Sequence, residues 1–126
     1  MDGMKYTKSH EWVKIENGVA VIGITDYAKD QLGDVVFIEL PDVGQRVVKS
    51  SQLGTVESTK TASEIYTPLT GEVIAVNDGL VDNPQWVNES PFEKGWMVKI
   101  KLSDENQLND LLDEGAYKEF VSKEKH

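Results

Sequence analysis

Residues 54–73 have the sequence GTVESTKTASEIYTPLTGEV, in which strand-forming runs flank a single lysine, Lys60. If the residues up to Ser58 and those from Ala62 form antiparallel strands, Lys60 lies at the tip of a hairpin. A lysine there is accessible to a modifying enzyme, and its long side chain carries an attached group away from the protein. Neither Asn-Gly nor Asp-Gly marks the turn. The residues alone therefore leave open whether Lys60 is a modified lysine or an ordinary surface lysine.

The rest of the first two-thirds of the chain also favours strands. Alternating or continuous apolar residues, separated by turns that contain glycine or proline, predict a mainly β fold. Pro68 indicates a strand end or an edge strand after the lysine, because proline cannot donate to a ladder. Further predicted strands cover residues 12–16, 19–24, 34–40, 72–77 and 96–102.

One short helix is predicted inside the β region. Thr25 is a suitable N-cap, Asp26 complements the helix dipole, and Gly33 is suited to end the helix. Residues 78–95 contain two prolines and few periodic signals. We therefore predict an irregular segment there, with one helical turn near residues 84–87.

The C-terminal tail predicts two helices. Ser103 is a suitable N-cap with acidic residues in the first turn, and Gly115 is expected to separate the helices. Apolar residues spaced at i, i+3 and i+4 form a stripe on each helix, which favours packing against a sheet. The stripes are Leu108, Leu111 and Leu112, followed by Tyr117, Phe120 and Val121.

The composition is typical of a soluble globular protein with one domain. The 126 residues include 22 acidic and 13 basic side chains, and the net charge of −9 argues against a nucleic-acid partner. There is no cysteine, so disulfides, thiol nucleophiles and zinc–thiolate sites are excluded. Apolar runs are far shorter than the roughly 20 residues that span a bilayer, and the N-terminus lacks a signal core. We expect a cytoplasmic protein that does not contact membranes.

No set of residues suited to catalysis is visible. Of the two histidines, His126 is the last residue, and His10 has only Glu11 and Trp12 beside it. General acid–base catalysis needs several titratable groups that converge, and the glycine-containing phosphate-binding and hydrolase motifs are lacking too. The sequence thus favours a binding or carrier protein that is not an enzyme and holds no metal.

Several motifs, in a fixed order along the chain, resemble the glycine cleavage system H-protein family. Each motif alone is weak, whereas their combination over about residues 5–120 is specific. The motifs are HEWV, GITDYA, QLGDVVFIELP, ESTKTASEIYTPLTGEV, GLVDNP, VNESPFEKGWMVKIKLSD and LLDEGAYKEF.

The resemblance implies a lipoyl-carrier fold. We expect a barrel-sandwich hybrid of two antiparallel sheets, with a short internal helix and C-terminal helices, in a single domain over residues 1–126. The barrel-sandwich would cover about residues 5–102 and the helical segment about residues 103–124. Family members carry lipoic acid on the lysine that matches Lys60, so covalent lipoyllysine is the implied cofactor.

The resemblance also implies that the chain is a shuttle and that partner enzymes perform the chemistry. The lipoyl group accepts the aminomethyl group of glycine at glycine decarboxylase, the P protein, which releases carbon dioxide. It delivers that group to aminomethyltransferase, the T protein, and dihydrolipoyl dehydrogenase, the L protein, then reoxidises it. A lipoate ligase or lipoyltransferase attaches the lipoyl group, and the carrier is expected to be a monomer.

Residues in or beside two of the matching motifs are candidates for a cleft that holds the loaded arm. The aminomethyl group carries an amine, which we expect to be cationic and to need protection from water. We predict that Glu11, helped by Ser9 and Glu64, binds this amine. The ordinary alternative is that Glu11 is a surface acid on a strand.

Three other functions stay open. The chain could be another swinging-arm module, although Thr59 and Thr61 flank Lys60, whereas biotinyl lysines usually lie between methionines. It could be a relay protein that donates lipoate to 2-oxoacid dehydrogenase complexes. The third alternative is a binding module that carries no group.

Overall fold

The computed structural model describes residues 4–124. Within this range the chain forms nine strands, four α-helices and one 3₁₀ helix. In chain order these are β1 (Met4–Tyr6), β2 (Glu11–Glu16), β3 (Val19–Ile24), α1 (Asp26–Leu32), β4 (Val35–Glu39), β5 (Arg46–Val47), β6 (Gln52–Ser58), β7 (Ala62–Tyr66), β8 (Gly71–Val76), α2 (Gly79–Asp82), α3 (Trp86–Glu89), β9 (Val98–Leu102), the 3₁₀ helix (Glu105–Asp110) and α4 (Glu114–Glu124).

The strands form two sheets in which every described pair is antiparallel. The larger sheet has the order β1-β2-β3-β9-β8-β5, and the smaller sheet has the order β4-β6-β7. This architecture confirms the predicted mainly β fold of two antiparallel sheets with an internal helix and C-terminal helices. The segment around Lys60 belongs to the smaller sheet, where β6 is central and β7 is an edge strand.

Apolar side chains from both sheets meet in one buried core. Val13 and Ile22 come from the larger sheet, and Val56 and Ile65 come from the smaller one. Full burial of one such side chain is worth roughly 1.5–3 kcal/mol. Val56 and Ile65 therefore anchor the β6–β7 hairpin in the core, while its tip extends beyond the last paired residues.

The internal helix α1 begins and ends where the sequence predicts. The Thr25 hydroxyl accepts a hydrogen bond from the Ala28 N–H, and Asp26 lies in the first turn. Gly33 follows with a φ of +78°, and its N–H donates to the Lys29 carbonyl. Glycine populates this backbone region at little cost, which lets the chain turn directly into β4.

The C-terminal tail differs from the prediction. Asp104, not Ser103, accepts the capping hydrogen bond, and the first helix is a 3₁₀ helix that stops at Asp110. Leu112 leaves the predicted stripe because its backbone exchanges two 2.8 Å hydrogen bonds with Tyr6. Gly115 lies inside α4 and does not separate two helices. A long-range strand-like pairing thus overrides the local helical pattern.

The segment between β8 and β9 holds two short helices, α2 and α3, where the sequence predicts a single helical turn. Each has four residues, which is too short to produce a helical period in the sequence. The strand β5 was not predicted, because two residues are too few to show the alternation of a strand. No helix within residues 4–124 is both long and apolar enough to cross a lipid bilayer.

Candidate functional site

Lys60 lies in the turn between β6 and β7, two residues beyond the end of β6. Glu57 and Ala62 are the last paired residues of the hairpin. The Ser58 N–H donates to the Thr61 carbonyl at 2.8 Å, and the Ser58 hydroxyl accepts from the N–H groups of Lys60 and Thr61 at 3.2 Å each. Serine side chains stabilise turns in this way, so Ser58 takes the part that an Asn-Gly pair has in tighter hairpins.

The turn rests on the segment that joins α1 to β4. The Thr59 N–H donates to the Asp34 carbonyl at 3.0 Å. A Cβ atom at Gly33 would lie 3.2 Å from Cε of Lys60, so the lysine side chain lies over a residue without a side chain. Lys60 is exposed and has no ion pair among residues 4–124.

Asn88 of α3 holds this supporting segment in place. Its amide nitrogen donates to the Gly33 carbonyl at 2.7 Å, and its amide oxygen accepts from the Val35 N–H at 2.9 Å. The two bonds fix the backbone on either side of Asp34. The position of the lysine turn therefore depends on a residue 28 positions after Lys60.

Glu11 is a buried carboxylate, although it begins the second strand of the larger sheet. Only 2% of the residue is exposed. The hydroxyls of Thr7 and Ser9 both donate to Oε1 at 2.6 Å, and the Tyr66 backbone N–H also donates to the carboxylate. Burial raises the pKa of Glu11, while these three hydrogen bonds act in the opposite direction because they favour the charged form.

A cavity of about 370 Å³ opens beside this carboxylate. We call it the Glu11 cavity. It also contains an ion pair, in which Lys49 Nζ lies 2.6 Å from Asp110 Oδ2. Asp110 is thereby neutralised, whereas Glu11 has no basic partner among the residues that the structure describes. The lining residues are Thr7, Ser9, Glu11, Lys49, Ser50, Tyr66, Thr67, Pro68, Asp110 and Leu111.

A second cavity, of about 380 Å³, lies between the lysine hairpin and α1. We call it the hairpin cavity. Its walls include residues 61–65 of the hairpin, Tyr27 and Gln31 of α1, and Ser9. Ser9 lines both cavities. The turn between β1 and β2 therefore borders both cavities.

The three predicted arm-binding residues do not share one cavity. Glu11 lines only the Glu11 cavity, Glu64 lines only the hairpin cavity, and Ser9 borders both. Tyr66 connects the two acids, because its backbone N–H binds Glu11 and its hydroxyl donates to Glu64 Oε2 at 2.6 Å. Glu64 itself is exposed.

The hairpin provides a surface that leads from Lys60 towards Glu11. Side chains alternate between the two faces of a strand, so Ala62, Glu64 and Tyr66 lie on the same face of β7. All three are exposed. The distance from Ala62 to Tyr66 is about 13 Å, since a strand rises about 3.3 Å per residue. This face therefore runs from the lysine turn to Tyr66, which lines the Glu11 cavity.

Comparison with known proteins decides the family. A sequence profile described as glycine cleavage H-protein matches residues 4–124. The chain belongs to this family. It is 53% identical over 118 residues to the glycine cleavage system H protein of Staphylococcus carnosus, and the alignment covers 94% of each chain. It is 54% identical over 117 residues to the H protein of Staphylococcus epidermidis, with 93% of each chain covered.

A solved structure of an H protein has the same fold. The crystal structure of a glycine cleavage system H protein from Mycobacterium marinum superposes with a TM-score of 0.85 at 32% identity. The match covers 100% of this chain and 99% of that one. Members of the H-protein family are carrier proteins, and family membership implies a lipoyl carrier.

The residues around Lys60 fit a covalently attached lipoyl group. The amine is on an exposed turn, outside any ion pair within residues 4–124, and its neighbours Thr59 and Thr61 are small. A ligase could approach the turn without displacing buried structure. The Glu11 cavity and the hairpin cavity both have polar and apolar residues in their walls, as a lipoyl arm requires.

Most of the residues around Glu11 were not among the predicted site residues. Thr7 could have been found from the sequence, because a threonine two positions before Ser9 can bind the same carboxylate within one turn. Lys49 and Asp110 could not, since they are 61 positions apart. Tyr66 was assigned to a strand, but its contact with Glu11 depends on how the two sheets pack.

His10 belongs to a structural cluster in this H-protein fold. Its ring contacts Tyr117 and Glu124 of α4 and packs against Tyr27 of α1. Within residues 4–124, no group of three or more His, Cys, Asp or Glu side chains is arranged to hold a metal ion.

Proposed function

We propose that this chain is the lipoylated shuttle of the glycine cleavage system, with lipoic acid joined to Lys60 Nζ through an amide. The observation that carries the proposal is the position of Lys60, on an exposed hairpin tip whose neighbouring strand leads to a buried carboxylate. When attached, the lipoyl disulfide would accept the aminomethyl group of glycine. The chain itself supplies attachment, reach and protection.

The proposed partners are the enzymes that act on the arm. Glycine decarboxylase would load it, aminomethyltransferase would unload it, and dihydrolipoyl dehydrogenase would reoxidise it. A lipoate ligase or lipoyltransferase would attach the lipoyl group. Each enzyme has to admit the Lys60 tip into its active site, and the turn is suited to this because it is narrow and flanked by threonines.

We propose that Glu11 holds the amine of the load and that Ser9 and Thr7 position the carboxylate. A cation 4 Å from a carboxylate gains about 1 kcal/mol in water and about 4 kcal/mol at an effective dielectric constant of about 20. Burial raises the pKa of Glu11, while three hydrogen-bond donors favour its charged form. A cationic amine beside the carboxylate would stabilise the charged form further. Glu64 lies on the path and would contact the arm nearer to Lys60.

Reconstituted glycine cleavage tests the shuttle function. The lipoylated chain is mixed with P, T and L proteins, glycine, tetrahydrofolate and NAD, and glycine-dependent NADH formation is measured. We expect activity with the lipoylated chain, none with Lys60→Arg, and wild-type activity with Lys101→Arg, which changes an exposed lysine on β9. Activity of Lys60→Arg equal to that of the wild type would contradict the proposal.

The relay alternative requires a separate assay. The lipoylated chain is incubated with a lipoyl-transferring enzyme and an unmodified 2-oxoacid dehydrogenase acyl-carrier domain, and the mass of that domain is measured. A chain that donates its lipoyl group here but does not support glycine cleavage is a relay protein and not the proposed shuttle.

The Glu11 function is tested by the rate at which the aminomethyl load is lost. The lipoylated protein is loaded by P protein, separated from it, and followed by the decay of the load. Since 1.4 kcal/mol corresponds to a factor of ten, an interaction of 1 to 4 kcal/mol predicts a loss about 5- to several hundred-fold faster in Glu11→Ala. Glu39→Ala removes an exposed acid on β4 and is the matched control. An unchanged rate in Glu11→Ala would refute this function.

A further inference from the structure

His10 lies between two residues of the Glu11 cavity, Ser9 and Glu11, and has an unusual backbone conformation. Its φ is +71°, a backbone region that non-glycine residues adopt rarely. The tight turn is closed by hydrogen bonds between Thr7 and Glu11, in which the Thr7 N–H donates to the Glu11 carbonyl and the Glu11 N–H donates to the Thr7 hydroxyl. Other contacts must hold His10 in this conformation.

Both ring nitrogens of His10 bind the C-terminal helix α4. Nε2 lies 3.0 Å from a carboxylate oxygen of Glu124, and Nδ1 lies 2.9 Å from the Tyr117 hydroxyl. If the ring is neutral, its proton is on Nε2, because a carboxylate only accepts hydrogen bonds, and Nδ1 then accepts from the Tyr117 hydroxyl. In that arrangement the Tyr117 oxygen accepts from the Thr25 hydroxyl at 2.7 Å. One chain of hydrogen bonds thus runs from the N-cap of α1 through α4 to His10.

Two aromatic rings also pack against the His10 ring. Its centroid lies 4.7 Å from that of Tyr27 on α1 and 5.9 Å from that of Phe120 on α4. Tyr117 stacks on Tyr6 of β1 with a centroid distance of 4.7 Å. The His10 side chain therefore joins the turn that carries Ser9 to α1 and α4.

We propose that His10 is a positioning residue that couples α4 to the Glu11 cavity. By anchoring the Thr7–Glu11 turn to α4 and α1, the ring holds the hydroxyls of Thr7 and Ser9 against Glu11 Oε1. This inference rests on the proposed function for its biological meaning, because it makes the C-terminal helix part of the machinery that holds the load. The coupling itself is a property of the protein without lipoate.

The first test measures the protonation of two side chains in the unlipoylated chain by NMR. Nitrogen shifts of His10 report the tautomer, and we expect the proton on Nε2. Carboxyl-carbon shifts of Glu11 report its pKa, which we expect to rise in His10→Ala and in Tyr117→Phe, since both loosen the Thr7 and Ser9 hydrogen bonds. Tyr117→Phe removes one oxygen only, so it keeps the test valid if His10→Ala does not fold.

Two controls separate positioning from general destabilisation. Val121→Ala weakens the packing of α4 without touching a His10 nitrogen, and we expect it to leave the Glu11 pKa unchanged. His10→Asn tolerates the positive φ and keeps an acceptor close to the position of Nδ1, so it should restore part of the wild-type value. A neutral ring with its proton on Nδ1, or a Glu11 pKa that stays at the wild-type value in both His10→Ala and Tyr117→Phe, would overturn the inference.

The second test uses the loaded, lipoylated protein and distinguishes this inference from the proposed function. If Tyr117→Phe raises the Glu11 pKa and also accelerates loss of the load several-fold, both stand. If the Glu11 pKa rises but the load is lost at the wild-type rate, the positioning by His10 stands and the proposed function of Glu11 fails.

Discussion

The Tyr66 hydroxyl donates a 2.6 Å hydrogen bond to Glu64 Oε2, while the backbone N–H of the same residue donates to Glu11. One residue of β7 thus contacts both acids that we assign to the path of the arm. The bond between Tyr66 and Glu64 orients an otherwise exposed carboxylate along the face of the hairpin that leads to the Glu11 cavity.

We predict that Glu64→Gln lowers the pKa of the Tyr66 phenol. The hydrogen bond to Glu64 and the charge of that carboxylate both raise the pKa of Tyr66, because ionisation would break the bond and place two negative charges together. Titration of ring-labelled tyrosines by NMR measures the change. Burial raises the pKa of Tyr117 to about 12, so that residue is a reference within the same spectrum. An unchanged Tyr66 titration in Glu64→Gln would show that the bond does not form in solution.

Glu11 should make the stability of the protein fall as pH rises. Burial raises the pKa of Glu11 in the folded state, so between the unfolded value of 4.5 and the folded value the native state binds more protons than the unfolded state. The contribution of Glu11 to the free energy of unfolding is therefore largest below this interval and decreases through it. Glu11→Gln removes this pH-dependent contribution to the free energy of unfolding.

The measurement is urea unfolding of wild type and Glu11→Gln from pH 4 to pH 8. We expect the wild type to lose stability relative to the variant as pH rises through the interval, and to keep a constant difference above it. Glu39→Gln, on the exposed side of β4, should show no such trend. A difference between wild type and Glu11→Gln that grows in favour of the wild type with rising pH would contradict the buried position of this carboxylate.

Gly33→Ala should impair lipoylation of Lys60 as well as stability. With a φ of +78° and a ψ of −151°, Gly33 lies in a backbone region that is essentially restricted to glycine, so an alanine there costs about 1 to 3 kcal/mol. The added Cβ would also lie 3.2 Å from Cε of Lys60. Gly18→Ala is a matched control, since Gly18 has a φ of +80° and nothing within 4 Å of its added Cβ. We expect both variants to unfold at lower urea concentration, but only Gly33→Ala to be lipoylated more slowly. Equal lipoylation rates would show that the contact has no influence on Lys60.

Asn88→Ala should destabilise the support of the lysine turn. It removes hydrogen bonds to the Gly33 carbonyl and from the Val35 N–H, a loss of about 1 to 3 kcal/mol for partly buried groups. Hydrogen exchange of the Thr59 amide, which donates to Asp34, should accelerate in this variant. Asn88→Asp keeps the acceptor for Val35 but places a carboxylate oxygen against the Gly33 carbonyl, so it should accelerate exchange at Thr59 as well. Exchange at Thr59 that stays at the wild-type rate would show that Asn88 does not support the turn.

The parts of the fold set by local pattern could be predicted from the sequence. The alternating residues of β2 and β9, and the cap and stop of α1 at Thr25 and Gly33, depend on neighbours within one element. The hairpin turn lacked the usual Asn-Gly signal because Ser58 stabilises it through its side chain. The predicted helices of the tail were wrong where Leu112 pairs with Tyr6, because no local pattern encodes a contact over more than 100 residues.

In the candidate site, too, local features could be predicted from the sequence and long-range contacts could not. Lys60 stands out in the sequence because it is a single lysine between two strand-forming runs. The burial of Glu11, the ion pair of Lys49 with Asp110, and the bonds of Tyr66 depend on the packing of distant segments. The resemblance pointed to Ser9, Glu11 and Glu64, but only the structure shows that these residues line two cavities and that Ser9 borders both.

The most direct test of the central claim is the mass of the chain after incubation with lipoate, ATP and a lipoate ligase. We predict one lipoyl increment, mapped by peptide mass spectrometry to Lys60 and missing in Lys60→Ala. An increment on another lysine, biotin on Lys60 after exposure to a biotin ligase, or an unmodified chain under conditions in which the ligase modifies a proven acceptor would contradict the account.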